Sequence, residues 1–122
     1  MDALLQDFKN AIQKLEEILV AEKNDITRDS AIKRFEICFD LAWKTIKVRA
    51  RTEGVECYSP RECIKTAFQL KIIDHDERWL SMIEDRNKTT HLYSSDTAED
   101  VYQNLTGYLA LYQKLFAALS PK

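Results

Sequence analysis

The sequence predicts an all-α protein, an up-and-down four-helix bundle with one additional short helix that dimerises through bundle helices. Three observations predict it. Only two glycines and two prolines punctuate 122 residues, too few for the many turns of a β fold. Apolar residues return at three- and four-residue intervals over long stretches, which is the period of a helix face. Helix-start signals divide those stretches, Ser59-Pro60-Arg61-Glu62 being the strongest. A chain of this length forms a single domain, residues 1–122, and buries roughly two thirds of its unfolded surface in one core.

The first helix runs from Met1 to about Glu22. Leu4, Leu5, Phe8, Ile12, Leu15, Ile18 and Leu19 make its apolar face, with Lys9, Lys14, Glu16 and Glu17 between them. The polar Lys23-Asn24-Asp25 turn ends it, and Thr27 or Asp29 caps the next. The second helix, about Asp29 to Thr52, carries two apolar stripes, one of Ile32, Phe35, Phe39, Trp43 and Ile46 and one of Ile37, Leu41 and Val48. Apolar surface on more than one side marks a central helix or one shared with a partner. Glu36, Asp40 and Lys44, each four residues after the last, share one line along it. They read as a surface ion-pair ladder or, alternatively, as a row that sets a carboxylate beside a site on another helix.

Ser59 as cap, Pro60 in the first helical position and Glu62 as reciprocal partner start the third helix, which carries Ile64, Ala67, Phe68 and Leu70 and breaks before Asp74. Asp74-His75-Asp76-Glu77 contains side chains able to bind a metal, but their spacing matches no ligand pattern, and acidic residues at a helix start serve the cap and the macrodipole. No metal and no cofactor are expected. Trp79, Leu80, Met82 and Ile83 form the buried face of the fourth helix, which begins near Asp76 and ends at Arg86. The last helix opens with Asp96 and Glu99 at capping-box spacing and runs to about Leu119, roughly 36 Å. Val101, Leu105, Leu109, Leu115 and Phe116 lie inside or between subunits, and Tyr102, Tyr108 and Tyr112 read as core or rim aromatics rather than a base-stacking platform. Gly107 falls mid-helix at a cost of ~1 kcal/mol, which a close approach of another element would explain.

A net charge of -2 argues against a broad nucleic-acid-coating face, so any RNA contact must be local. Cys38, Cys57 and Cys63 are odd in number and without metal-type pairing; reduced thiols in the cytoplasm are the simplest reading, with neither a disulfide framework nor a zinc site. No basic segment with an apolar core follows Met1-Asp2, and no apolar run reaches the ~18 residues of a membrane span.

The chemistry concentrates at Arg86-Asn87-Lys88-Thr89-Thr90-His91-Leu92-Tyr93. A continuing helix would point Arg86 and His91 in well-separated directions. Asn87 is suited to the left-handed conformation that closes helices, and β-branched threonines favour extended backbone. The expectation is therefore a helix that stops at Asn87 and an extended segment in which His91 and Tyr93 share one side while Leu92 anchors the other. The structural alternative has Arg86 terminating a helix, His91 in a loop and Tyr93 packing its ring.

The spacing of Arg86, His91 and Tyr93 resembles the signature of the HEPN superfamily, and specifically of its HepT-like proteins. Arg34-Phe35-Glu36, Phe39-Asp40-Leu41-Ala42-Trp43-Lys44, Ser59-Pro60-Arg61-Glu62, Trp79-Leu80-Ser81-Met82 and Arg86-Asn87 are similar to the branch described as nucleotidyltransferase substrate-binding proteins. The resemblance covers nearly the whole chain. It implies a cytoplasmic homodimer that partners a separate minimal nucleotidyltransferase in a toxin–antitoxin pair and cleaves RNA without a metal. His91 would then be general base or acid, Arg86 the phosphate clamp and Tyr93 the acceptor of adenylyl groups that silence the site, with Asn87, Glu36 and Asp40 in support. The same resemblance allows a second role, a non-catalytic subunit binding substrate for that nucleotidyltransferase. The chain carries no Gly-Ser plus paired-Asp motif, so it is not expected to transfer nucleotides itself.

Overall fold

The computed structural model describes residues 2–91 and 94–121; Leu92 and Tyr93, like the two terminal residues, lie outside the described residues. Six α-helices follow one another: α1 (Asp2–Leu19), α2 (Asp25–Thr52), α3 (Pro60–Gln69), α4 (Arg78–Lys88), α5 (Ser95–Tyr102) and α6 (Leu105–Leu119), with a 3₁₀ turn, Thr89–His91, joined to the end of α4. The all-helical bundle agrees with the expectation. The 28-residue α2 is its axis, packed against α1, α3, α5 and α6. No helix among the described residues is long and apolar enough to cross a membrane.

The core follows the predicted periodicity. Phe8 and Leu15 of α1, Phe35 and Ile46 of α2, Met82 of α4 and Leu115 of α6 are fully buried. Such side chains each contribute about 1.5–3 kcal/mol of transfer free energy. Tyr112 stands at the centre, its ring edge-on to Phe8 at 6.1 Å and to Trp79 at 6.4 Å, and its hydroxyl donates to the Phe35 carbonyl at 3.2 Å. That bond satisfies the one polar atom of a fully buried ring. Tyr108 is buried too, whereas Leu80 is 47% exposed and lies outside the core.

Local chemistry moved several boundaries. The second helix starts at Asp25, because Asn24 and not Thr27 or Asp29 caps it. The Asn24 side chain accepts from the Ile26 and Thr27 amides at 2.9 Å, and the Thr27 hydroxyl accepts from the Asn24 amide at 2.8 Å. At α3, Ser59 accepts from the Glu62 amide as expected, but Glu62 reaches past the cap to the Tyr58 amide. The expected final helix is broken at Gln103–Asn104 into α5 and α6. Asn104 turns its amide onto the Asp100 carbonyl at 3.2 Å, competing with the helical ladder. Ser94, not Asp96, caps α5, and Glu99 is drawn away to Lys23 and Arg28. A Cβ at Gly107 would meet the Arg78 side chain at an ordinary contact distance of 3.5 Å, so a side chain and not a tight backbone approach borders that space.

The cysteine expectation is corrected. Cys57 and Cys63 form a disulfide, and Cys38 alone is free. The Ser59-Pro60 turn into α3 folds the chain back until the two Cα atoms are 5.1 Å apart, within bonding reach. An odd count concealed a local pair. Cys38 is buried, and that burial pushes its thiol up to about 12, which leaves it unreactive.

The acidic stretch before α4 has a structural use. Helix α4 begins at Arg78 rather than near Asp76, because Asp76 acts from outside as its cap: the carboxylate accepts from the Arg78 amide at 2.9 Å and pairs with the Arg78 guanidinium at 2.7 Å. These bonds, the side-chain one first, hold the Asp76 carboxyl down at about 2. Because that is below its unfolded value of ~3.9, the stabilisation is complete above about pH 5 and lost as pH falls through 4 toward 2. Asp76→Ala is expected to cost about 1 kcal/mol at pH 7 and to be nearly silent at pH 2. Urea midpoints of both proteins at the two pH values check this, and an equal loss at both would contradict it.

Candidate functional site

The end of α4 differs from the expected geometry in an informative way. The helix does not stop at Asn87; it continues through Lys88 and tightens into the 3₁₀ turn Thr89–His91. The two threonines cause this rather than prevent it. The Thr89 hydroxyl donates to the Arg86 carbonyl at 2.7 Å and the Thr90 hydroxyl to the Asn87 carbonyl at 2.9 Å, closing carbonyls that the helix end leaves open. Asn87 is helical and exposed; the only non-glycine residue with positive φ among those described is Lys71. The expected alternation of His91 and Leu92 along an extended strand therefore does not form at His91, while Leu92 and Tyr93 fall outside the described residues.

Arg86 is the best-fixed member of the motif. Its Nη1 lies 3.3 Å from Glu36 and its Nη2 3.9 Å from Asp40, so the line of carboxylates on α2 faces this guanidinium. Of the two readings of that line, the geometry selects the one that sets carboxylates beside a residue of another helix. Thr89 adds a third contact at 3.3 Å from Nη1. The side chain keeps 24% of its exposure and Glu36 keeps 20%, so the pair is neither in water nor sealed from it. The Arg86 Nε is buried and has no acceptor among the described residues. His91 ends the 3₁₀ turn and is exposed.

One important residue escaped the sequence reading. Asp85, next to Arg86, is 6% exposed and accepts from the Tyr108 hydroxyl at 2.6 Å and from the Asn104 amide at 3.0 Å. Lys88 sits 3.7 Å away. Burial and this carboxylate push the Tyr108 hydroxyl far above its ordinary value, so Tyr108 stays a donor. The network pins the last turns of α4 to the start of α6, and the α5–α6 break puts Asn104 where it can join. Its signal in the sequence was slight: an acid three residues after Met82 on an otherwise apolar face.

Arg86, Glu36 and Asp40 thus come together and Asn87 stands exposed beside them, whereas the continued helical path to His91 is the geometry that turns its side chain away from Arg86 within one subunit. A forked cation held by two carboxylates can present donors to a phosphate, and an exposed imidazole can exchange protons with a bound hydroxyl. No cluster of three or more potential metal-binding side chains occurs among the described residues. His75 of the acidic stretch instead sets its ring against Phe68 at 5.2 Å.

The family model described as nucleotidyltransferase substrate binding protein like matches residues 3–121. The probable ribonuclease HepT of Haemophilus influenzae is 25% identical over 84 residues, which cover 65% of this chain and 58% of that protein. The match thus spans a little over half the length of that curated relative. A crystal structure from Thermus thermophilus superposes with a TM-score of 0.87 at 30% identity, covering 93% of this chain and 99% of the other. A Haemophilus influenzae structure, described as the fold of a substrate binding domain of a nucleotidyltransferase, superposes with a TM-score of 0.83 at 20% identity over 94% of this chain and 98% of that one.

Proposed function

The chain belongs to the nucleotidyltransferase substrate binding protein like family, and from that premise we propose that it is the HepT-like half of a two-component system, a metal-independent ribonuclease silenced by a separate minimal nucleotidyltransferase. The observation that carries the reading is the guanidinium of Arg86, fixed by Glu36 and Asp40 at a half-open site on the helical path that ends at the exposed His91. Its similarity to a probable ribonuclease supports the same reading.

In this mechanism His91 takes the proton from a ribose 2′-hydroxyl. The 2′-oxygen attacks the adjacent phosphorus, the bond to the 5′-oxygen breaks, and a protonated imidazole or water returns a proton to that leaving oxygen. Arg86 stabilises the charge gathering on the non-bridging oxygens. Glu36 and Asp40 aim the guanidinium and balance its charge while no RNA is present. The protein acts as a cytoplasmic homodimer with two such sites facing one cleft. Half-buried Ile37, Leu41 and Val48, one stripe of α2, support a shared face there. The toxin–antitoxin control operates at Tyr93: its phenolate attacks the α-phosphate of ATP bound to the nucleotidyltransferase, pyrophosphate leaves, and the attached adenylyl group fills the cleft.

A second reading is favoured by one feature. Arg86 already faces two carboxylates, so its charge is compensated and the site has little net attraction for RNA. The protein would then hold a substrate for the nucleotidyltransferase without doing chemistry. Purified protein, with an intact mass showing no adduct, separates the two when incubated with total RNA in excess chelator. Cutting is the expected result, and no cutting would favour the binding subunit.

A further inference from the structure

The line that carries Glu36 and Asp40 does not end at the site. Along α2, Asp40, Lys44, Lys47 and Arg51 follow at spacings of four, three and four residues and so project within one narrow sector of the helix. From Asp40 to Arg51 this stripe is about 16 Å long at 1.5 Å per residue. It begins where Arg86 is held and passes to the opposite sign of charge within one turn.

The two lysines differ from the arginines at either end of the stripe. Lys44 is exposed and Lys47 half-buried, and neither has an ion-pair partner among the described residues, whereas Arg86 beside the near end and Arg51 at the far end are both paired. The carboxylates at the near end are occupied by Arg86, and Glu56 at the far end by Arg51 at 3.3 Å. The stripe thus has unspent positive charge in its middle, although the whole chain carries -2.

An aromatic ring closes the far end. Tyr58 is 70% exposed, and Lys47 Nζ lies 5.6 Å from its ring centroid. The ring is held by a well-made turn: its own amide donates to Glu62, and its neighbours are the cap Ser59 and the disulfide residue Cys57. Apolar rings left this open on a rigid turn, with a cation over one face, are suited to stacking a base on the other.

We propose that α2 from Lys44 to Arg51, together with Tyr58, is a binding track for single-stranded RNA that leads into the Arg86 and His91 site, with Lys44 and Lys47 on phosphates and Tyr58 stacking a base a few nucleotides from the cut. This rests on the ribonuclease reading and deepens it. It also explains how a chain of acidic overall balance holds RNA: the attraction is confined to one stripe and reinforced by stacking, which salt does not screen.

The test uses a short, fluorescently labelled single-stranded RNA and anisotropy titrations on a His91→Ala background, which prevents cutting. Tyr58→Ala is expected to weaken binding about tenfold, with Tyr58→Phe close to the parent. Lys44→Ala with Lys47→Ala is expected to reduce the slope of log affinity against log salt by about 1.4, two single-strand phosphate contacts at ~0.7 each. All these side chains are wholly or partly exposed, and thermal melts of the variants establish that the fold is kept. Binding by the parent that is untouched by Tyr58→Ala and by the lysine pair would overturn the track and leave the ribonuclease reading standing. Absence of RNA binding and of RNA cutting by the parent would overturn both.

Discussion

Arg86→Ala and His91→Ala are each expected to lower the rate of RNA cleavage by about 100-fold or more while leaving the helical content unchanged. The magnitude comes from the roles: a positioned cation at developing phosphate charge and a positioned proton acceptor each supply about 10²–10³. The Arg86 variant needs a control, because it strands Glu36 and Asp40 with no cation between them. Arg86→Lys supplies it. Lysine keeps the charge that the carboxylates require but loses the forked pair of donors, so stability returns while most of the rate does not. Single-turnover rates and melting curves of the three variants separate the effects. Full activity in Arg86→Lys would mean that only charge matters there.

Asp85→Ala is expected to cost about 2 kcal/mol of stability, read as a fall of roughly 7 °C in Tm. The loss is large because truncation leaves the buried Tyr108 hydroxyl without its acceptor and takes from the exposed Asn104 amide one of its two. Tyr108→Phe removes one donor and leaves the carboxylate its other bond, so it costs less, about 1 kcal/mol. The double variant Asp85→Ala with Tyr108→Phe is predicted to lose less than the sum, since the donor that Asp85→Ala strands is already gone. Strict additivity in that cycle would argue that the network is not coupled. As Asp85 precedes Arg86, cleavage is also expected to fall in the Asp85→Ala variant.

The helices were legible because their period is written in the apolar residues: Phe8 to Leu15, Phe35 to Ile46 and Leu105 to Leu115 all fall inside as spaced. Boundaries were less so, for reasons that are chemical in each case. Asn24 outcompeted Thr27 because its side chain takes two amides at once. Thr89 and Thr90, read as extended by their propensity, instead turned their hydroxyls back onto helix carbonyls, an option that a β-branched residue with an oxygen has and valine lacks. Asn104 broke what periodicity alone joined, since its bond to Asp85 lies across the fold and is invisible in the local pattern. The pairing of Cys57 with Cys63 was hidden by an odd count, though the Ser-Pro turn between them was the clue.

The site was partly legible. The spacing of Arg86 and His91 singled out one segment, and the four-residue ladder on α2 named the carboxylates that meet Arg86. What stayed hidden was Asp85, whose work depends on two residues of the last arm, and the significance of Tyr58, which in sequence is a loop aromatic and in the structure lies beside Lys47. Long-range partners of this kind are set by packing, which no short window contains.

The most direct test of the central claim, that His91 and Arg86 cut RNA through its own 2′-hydroxyl, is cleavage in excess chelator of a defined RNA beside the same strand carrying a single 2′-deoxy nucleotide at the mapped cut. The account predicts cutting of the first, with a 2′,3′-cyclic phosphate on the new end, and an intact second strand. Equal cutting of both, or cutting of the RNA that persists unchanged in His91→Ala, would contradict it.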